Sequence, residues 1–290
     1  MLVLVPGDPA AVLAGSSSPN PETLAAIRAQ FRLDDPFLVR YAAWLGDLLA
    51  GDLGRSFVYR ADVASLIVPR IGTSLFLVTY AAIIILVVGI GLGILSALSN
   101  RTVDKIITTL TSIGLGMPVF VVAILLITVF SLYLNWFPVY GSGTDFWSNV
   151  HHLTLPAISM SAAYLVFVTR ITRSAVRGQL FAEHVDTARS RGLPPREYIP
   201  RHVLRNASSQ IFSVGGITVA SLFASTAVAE QAFGVSGIGS LLVEAASRQD
   251  LPVVQILSLF MVAAFVVVNT IVDLINGAID PRTIARKATS

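Results

Sequence analysis

Five long stretches of this chain carry no Asp, Glu, Lys or Arg, and they decide the fold class before any motif is considered. Ile71 to Asn100 lies between Arg70 and Arg101, and Ile106 to Thr144 lies between Lys105 and Asp145. Phe146 to Thr169, Asn206 to Ala229 and Leu251 to Val272 follow. Each is longer than the about 20 apolar residues needed to cross about 30 Å of hydrocarbon. The runs are continuously apolar, without the short alternating segments of a membrane barrel, so they read as helices. Composition agrees, with 54% hydrophobic residues, 13% charged and a mean hydropathy of +0.74. The expectation is an all-α, polytopic membrane protein with five complete spans.

Placement of charge orients those spans. Of the 20 Lys and Arg residues, 13 fall on three segments: Arg101 and Lys105, the eight arginines from Arg170 to Arg205, and Arg282, Arg286 and Lys287. Basic residues concentrate on the cytoplasmic side of membrane proteins. These segments, the C-terminus included, are therefore expected in the cytoplasm, with the connections Asn135 to His152 and Gln231 to Asp250 on the opposite face. Nothing in the charge pattern calls for nucleic acid. Cysteine is absent, which removes disulfides and thiolate metal sites.

Alternation from that orientation puts residues 1–70 outside, as short amphipathic surface helices. Asn20 can cap a helix that starts at Pro21, with Leu24, Ile27 and Phe31 on one face. Asp35 and Pro36 begin another, with Tyr41, Leu45 and Leu48 on one side and Gly51 as its stop. Met1 to Val5 is apolar but too short to span and has no basic flank. An outside segment with nothing to carry it there suggests an upstream helix lost to a misplaced start codon, with a true five-span protein as the alternative expectation.

Inside the spans, Gly89, Gly91 and Gly93 and the hydroxyl-rich stretch from Ser208 to Thr226 admit two readings, close helix packing or the wall of a wet pathway. Gly114, Gly116 and Pro118 predict a kink in the second span, since proline removes a backbone donor. No substrate-contacting residue follows from the sequence.

The most distinctive segment is polar. Glu183 to Asn206 reads EHVDTARSRGLPPREYIPRHVLRN. A helix is expected to leave the membrane from Arg170 through Ser174, Val176, Leu180 and Val185 to Arg191, with Gly192 as its left-handed stop. Pro195 then opens a short projecting helix with Glu197 in its first turn and Tyr198, Ile199, Val203 and Leu204 as apolar contacts. Helix spacing alone leaves three readings open: a basic loop on anionic lipid, a surface helix without a partner, or a helix docked in another protein's groove.

Against the general pattern of the EAA loop of ATP-binding-cassette importer membrane subunits, Asp186-Thr187-Ala188 stands in the Glu-Ala-Ala place. His202 and Leu204-Arg205 occupy the later Ile and Leu-Pro places, so Ala188, Gly192 and Leu204 match. The segment more closely resembles the dipeptide, oligopeptide and nickel permease branch, in His184-Val185-Asp186-Thr187-Ala188-Arg189-Ser190-Arg191-Gly192-Leu193 and Arg201-His202-Val203-Leu204-Arg205-Asn206-Ala207. Val5-Pro6-Gly7-Asp8-Pro9, Gly51-Asp52-Leu53-Gly54-Arg55-Ser56, Arg170-Ile171-Thr172-Arg173-Ser174, the stretch from Glu230 to Gly239 and Asp280-Pro281-Arg282 are further family-like islands in the right order.

That resemblance implies the type I ABC importer transmembrane fold, with residues 71–290 as the transmembrane domain and 174–206 as its cytoplasmic coupling loop. It also implies six helices, so residues 1–70 hold the remnant of a truncated first helix plus the external segment. The residues carried over to ATPase coupling are Asp186, Thr187, Ala188, Arg189, Arg191, Gly192, Leu193, Arg201, His202, Leu204 and Arg205. Implied partners are a second homologous permease subunit, two cytoplasmic ATPase subunits, an external substrate-binding protein and a peptide, all within or beside the lipid bilayer of a bacterial plasma membrane.

No catalytic or metal residue is expected in this chain. A phosphate-binding P-loop needs lysine after glycine, and the only lysines, Lys105 and Lys287, follow Asp104 and Arg286. ATP and Mg are therefore expected on the partner subunits, with no cofactor bound here. Nickel instead of peptide is the alternative substrate. A gradient-driven secondary transporter is the alternative class, which the scarcity of charge at membrane depth disfavours.

Overall fold

A computed structural model describes residues 21–30 and 35–279. The expected cap at Asn20, Phe31, the islands at Val5-Pro9 and Asp280-Arg282, the truncated first helix and the basic C-terminal residues lie outside them. In chain order the helices are α1 (Pro21–Gln30), α2 (Phe37–Leu49), α3 (Val63–Leu98), α4 (Arg101–Leu115), α5 (Val119–Tyr133) and α6 (Phe146–Leu180). They continue with α7 (Glu183–Ser190), α8 (Pro195–Ala232), α9 (Ile238–Ser247) and α10 (Leu251–Ile279).

Four of these, α3, α6, α8 and α10, are long and apolar enough to cross a membrane, and the pair α4–α5 makes a fifth if it is one span. The pair is bent by 101° across Leu115–Pro118, where the sequence predicts a kink. Among the described residues three wide π-helical turns occur, at Ile85–Gly89, Ile127–Tyr133 and Ile199–Leu204. At about 1.5 Å per residue, α6 is about 50 Å long, well beyond the hydrocarbon thickness.

The chain divides into two compact units. One comprises the residues up to 70 with 241–260. In it α2 is stopped by Gly51 at φ +87, whose N–H bonds the Leu48 carbonyl. A tight loop from Gly54 to Val63 follows, closed by Val63 N–H to Gly54 O at 3.0 Å and Ser56 N–H to Ala61 O at 2.9 Å. Buried Asp250 ties this loop down, accepting from Ser56 Oγ and from the N–H groups of Phe57 and Val58.

The other unit comprises 71–240 and the residues from 261. Its central element is α6, which packs against α3, α4, α5 and α8. Leu77, Ile85, Leu153, Met160, Leu222 and Phe233 fill its main core. Glycine sets the closest approach. A Cβ on Gly93 would lie 2.8 Å from the Thr169 carbonyl oxygen and 2.5 Å from the Thr172 Cβ, whereas one on Gly91 would meet nothing within 4 Å. Of the three clustered glycines, Gly89 and Gly93 therefore serve packing. Along α8, Thr218 and Thr226 are buried and donate to carbonyls of their own helix, Val214 and Phe223. Those two hydroxyls face the interior of this unit.

Candidate functional site

The polar element between α6 and α8 is built differently from the continuous helix that spacing predicts. The helix ends at Leu180, and Phe181 and Ala182 turn the chain before α7 begins, with Ala182 extended at ψ 146. The reason is burial. An unbroken helix would carry Val185 and Ala188 away from α6, but the turn folds them back. Val185 joins Ala97, Ala175, Val176, Val203, Ala207 and Ile211 in one apolar seam, and Ala188 is buried as well. Val176, Val185 and Val203 are fully enclosed in it.

Gly192 ends α7 at φ +79, and the corner has both bonds of a Schellman motif. Gly192 N–H bonds Arg189 O at 2.9 Å, and Leu193 N–H bonds Ala188 O at 3.2 Å. A glycine is needed for its backbone conformation alone, since a Cβ there would meet nothing within 4 Å. Pro195 occupies the first position of α8, and Pro194 O accepts from Glu197 N at 2.9 Å. The separate projecting helix expected from sequence is instead the first turn of α8, joined to the span through the wide turn at Ile199–Leu204. Pro200 lacks the N–H that a regular helical turn would use, so a wider register accommodates it.

Across the corner, the Arg189 guanidinium lies 5.3 Å from the centre of the Tyr198 ring. Asn206 Nδ2 donates to His202 O at 2.8 Å, and His184 Nε2 lies 3.0 Å from the same amide nitrogen. Exposed pairs Arg189–Asp186 and Arg201–Glu197, at 3.5 and 3.8 Å, contribute little, because solvent screens them. The result is a corner with an apolar inner side and a charged outer side. Among the residues singled out from sequence, Ala188 is buried, while Leu193, His202 and Leu204 are half-buried. Asp186, Thr187, Arg189, Arg191, Gly192, Arg201 and Arg205 face outward.

Two polar centres were not singled out by sequence reasoning. Asp104, 7% exposed, receives a two-pronged contact from Arg173 (Nε to Oδ1 2.5 Å, Nη2 to Oδ2 2.7 Å). Arg177 Nη2 adds a bond of 3.0 Å and Ser96 Oγ one of 2.6 Å. The available signal was that Asp104 is the sole acidic residue between Asp62 and Asp145, with Arg173 and Arg177 one helical turn apart. Glu230, which directly follows the uncharged run from Asn206 to Ala229, has no exposed surface. Its carboxyl accepts from Ser74 Oγ at 2.6 Å and Ser240 N–H at 2.8 Å, and Ser74 Oγ in turn accepts from Ile238 N–H at 2.8 Å. The contiguous motif EQAFGVSGIG was visible, but not that Gly237 lacks a side chain because the Glu230 carboxyl fills that space.

Comparison with known proteins places this architecture. Residues 89–285 match the family described as binding-protein-dependent transport system inner membrane component, and residues 1–79 match its N-terminal family. The chain is 34% identical over 288 residues to a protein named probable peptide ABC transporter permease protein y4tP, of Sinorhizobium fredii, covering 97% of this chain and 91% of that one. It is 34% identical over 290 residues to the oligopeptide transport system permease protein AppB of Bacillus subtilis, covering 96% and 90%. It is 33% identical over 279 residues to the glutathione transport system permease protein GsiC of Salmonella choleraesuis, covering 96% and 89%. The fold resembles a chain of the inward-facing MetNI methionine ABC transporter, with a TM-score of 0.63 at 15% identity, covering 74% of this chain and 96% of that one. With its helical spans, its corner between α6 and α8 and these matches along nearly all of its length, the chain belongs to the binding-protein-dependent transport system inner membrane component family, the permease subunits of ABC transporters.

Proposed function

We propose that this permease carries peptides across a bacterial inner membrane as half of an ATP-driven translocation pathway, and that the corner from Glu183 to Arg205 is where the ATPase subunits grip it. The observation that carries the coupling role is the corner itself: a rigid turn at Gly192 whose inner side is anchored in an apolar seam and whose outer side presents Asp186, Thr187, Arg189, Arg191 and Arg201. A lipid-resting loop has no need of such an anchor. A surface that must transmit force does.

In this reading the corner and the C-terminus are cytoplasmic, two ATPase subunits supply hydrolysis, a second permease completes the pathway, and an external binding protein delivers the peptide. Hydrolysis belongs to the partners because neither lysine of this chain stands in a phosphate-binding loop. ATP acts by stabilising one of two arrangements of the helix bundle over the other. Peptide is preferred to nickel because relatives at comparable identity are named for peptides, oligopeptides and glutathione.

Purification in mild detergent from the native host, followed by mass spectrometry and ATPase assays with the binding protein present, tests the proposal. Two ATPase subunits and a second permease should co-purify, and short peptides should stimulate hydrolysis. Absence of any ATPase, or stimulation by nickel and not by peptides, would contradict it.

A further inference from the structure

We propose that Asp104 is the joint through which movement of the Gly192 corner reaches the turn between α3 and α4, a role that rests on the corner being the ATPase contact. The corner connects to α6 by its seam, in which Val176 and Ala175 meet Val185 and Val203. Flanking that patch of α6, Arg173 and Arg177 reach Asp104 on the first turn of α4, and Ser96 near the end of α3 completes the shell. The end of α6 is thus held by apolar contacts to the corner and by an ionic clamp to the α3–α4 turn. Displacement of the corner must either carry that turn along or break the clamp.

The chemistry suits a joint. One carboxylate faces two guanidiniums, so its removal leaves two like charges that repel. Arg173 and Arg177 side chains are 28% and 37% exposed, so water can take them up when the clamp is lost. Asp104 is itself buried, so the clamp also steadies the fold; asparagine at that position keeps the shape and one acceptor oxygen while releasing the ionic hold that fixes a direction of pull. The fork between Arg173 and Asp104 sets an angle as well as a distance, which a lysine ammonium does not reproduce.

The test uses the whole complex in proteoliposomes, with Asp104→Asn and Arg173→Lys beside the unaltered chain. Assembled complex, ATP hydrolysis and peptide uptake are measured on the same samples. Assembly and hydrolysis should be nearly retained, while uptake per ATP falls about tenfold in Asp104→Asn and about threefold in Arg173→Lys, the scale of mutations along a coupling network. Uptake per ATP that stays unchanged in Asp104→Asn overturns the joint alone, as does a loss of uptake and hydrolysis in step with lost assembly. Uptake by the unaltered complex that does not depend on ATP overturns the coupling reading and the joint with it.

Discussion

Substitution of Gly192 separates backbone geometry from surface contact at the corner. Its φ of +79 lies in the left-handed region, and its N–H bonds the Arg189 carbonyl at 2.9 Å. Alanine there pays about 1–2 kcal/mol for the conformation, or about tenfold in the corner's equilibrium. Asparagine tolerates that region and should lie close to glycine. Proline cannot reach it, being held near about −65°, and it also loses the N–H; a cost of about 3 kcal/mol or more weakens the corner by over a hundredfold. Peptide uptake and ATP hydrolysis, measured together in proteoliposomes, should rank glycine and asparagine above alanine, with proline nearly uncoupled though still in the membrane. A proline variant with normal uptake refutes the reasoning. So does an alanine variant as defective as proline, because a Cβ there meets no atom of this chain within 4 Å.

Three further outcomes follow from packing. Glu230→Ala leaves Ser74 Oγ and Ser240 N–H without their buried acceptor. At about 1–3 kcal/mol for each unsatisfied group, the detergent-solubilised protein should melt several degrees lower, and Glu230→Gln should fall between. Gly93→Ala should cost about 1–3 kcal/mol because its Cβ would crowd Thr172 and the Thr169 carbonyl, whereas Gly91→Ala, in open space, should be neutral or slightly stabilising in the same melting assay. Val203→Ala removes two methyl groups from a fully enclosed site, a loss of about 1.5–2.5 kcal/mol. Hydrogen exchange should then accelerate in residues 183–206 more than in the spans.

Membrane helices were legible because their signal is local: a long uncharged run needs no knowledge of its neighbours. The Gly192 corner was legible for the same reason, since a helix stop is encoded by the residues beside it. What sequence could not reveal depended on distant partners. The turn at Phe181–Ala182 has no proline or glycine of its own to announce it. It exists because Val185 gains a buried seam that includes Ala97 and Ile211, far away in the chain. Asp104 and Glu230 were equally opaque, because their partners lie 69 to 73 residues away for the arginines and 156 residues away for Ser74. A carboxyl group in an apolar chain indicates a tether, but not what it is tied to.

The absence of cysteine from the chain makes the central claim directly accessible. A single cysteine at Arg196 or Glu197, both exposed at the start of α8, can be cross-linked in membranes to whatever touches the corner. The account predicts a product containing an ATPase subunit from either position, changed in yield by ATP, and none from a control at exposed Tyr133. Cross-linking to an ATPase from Tyr133 and not from the corner would contradict it.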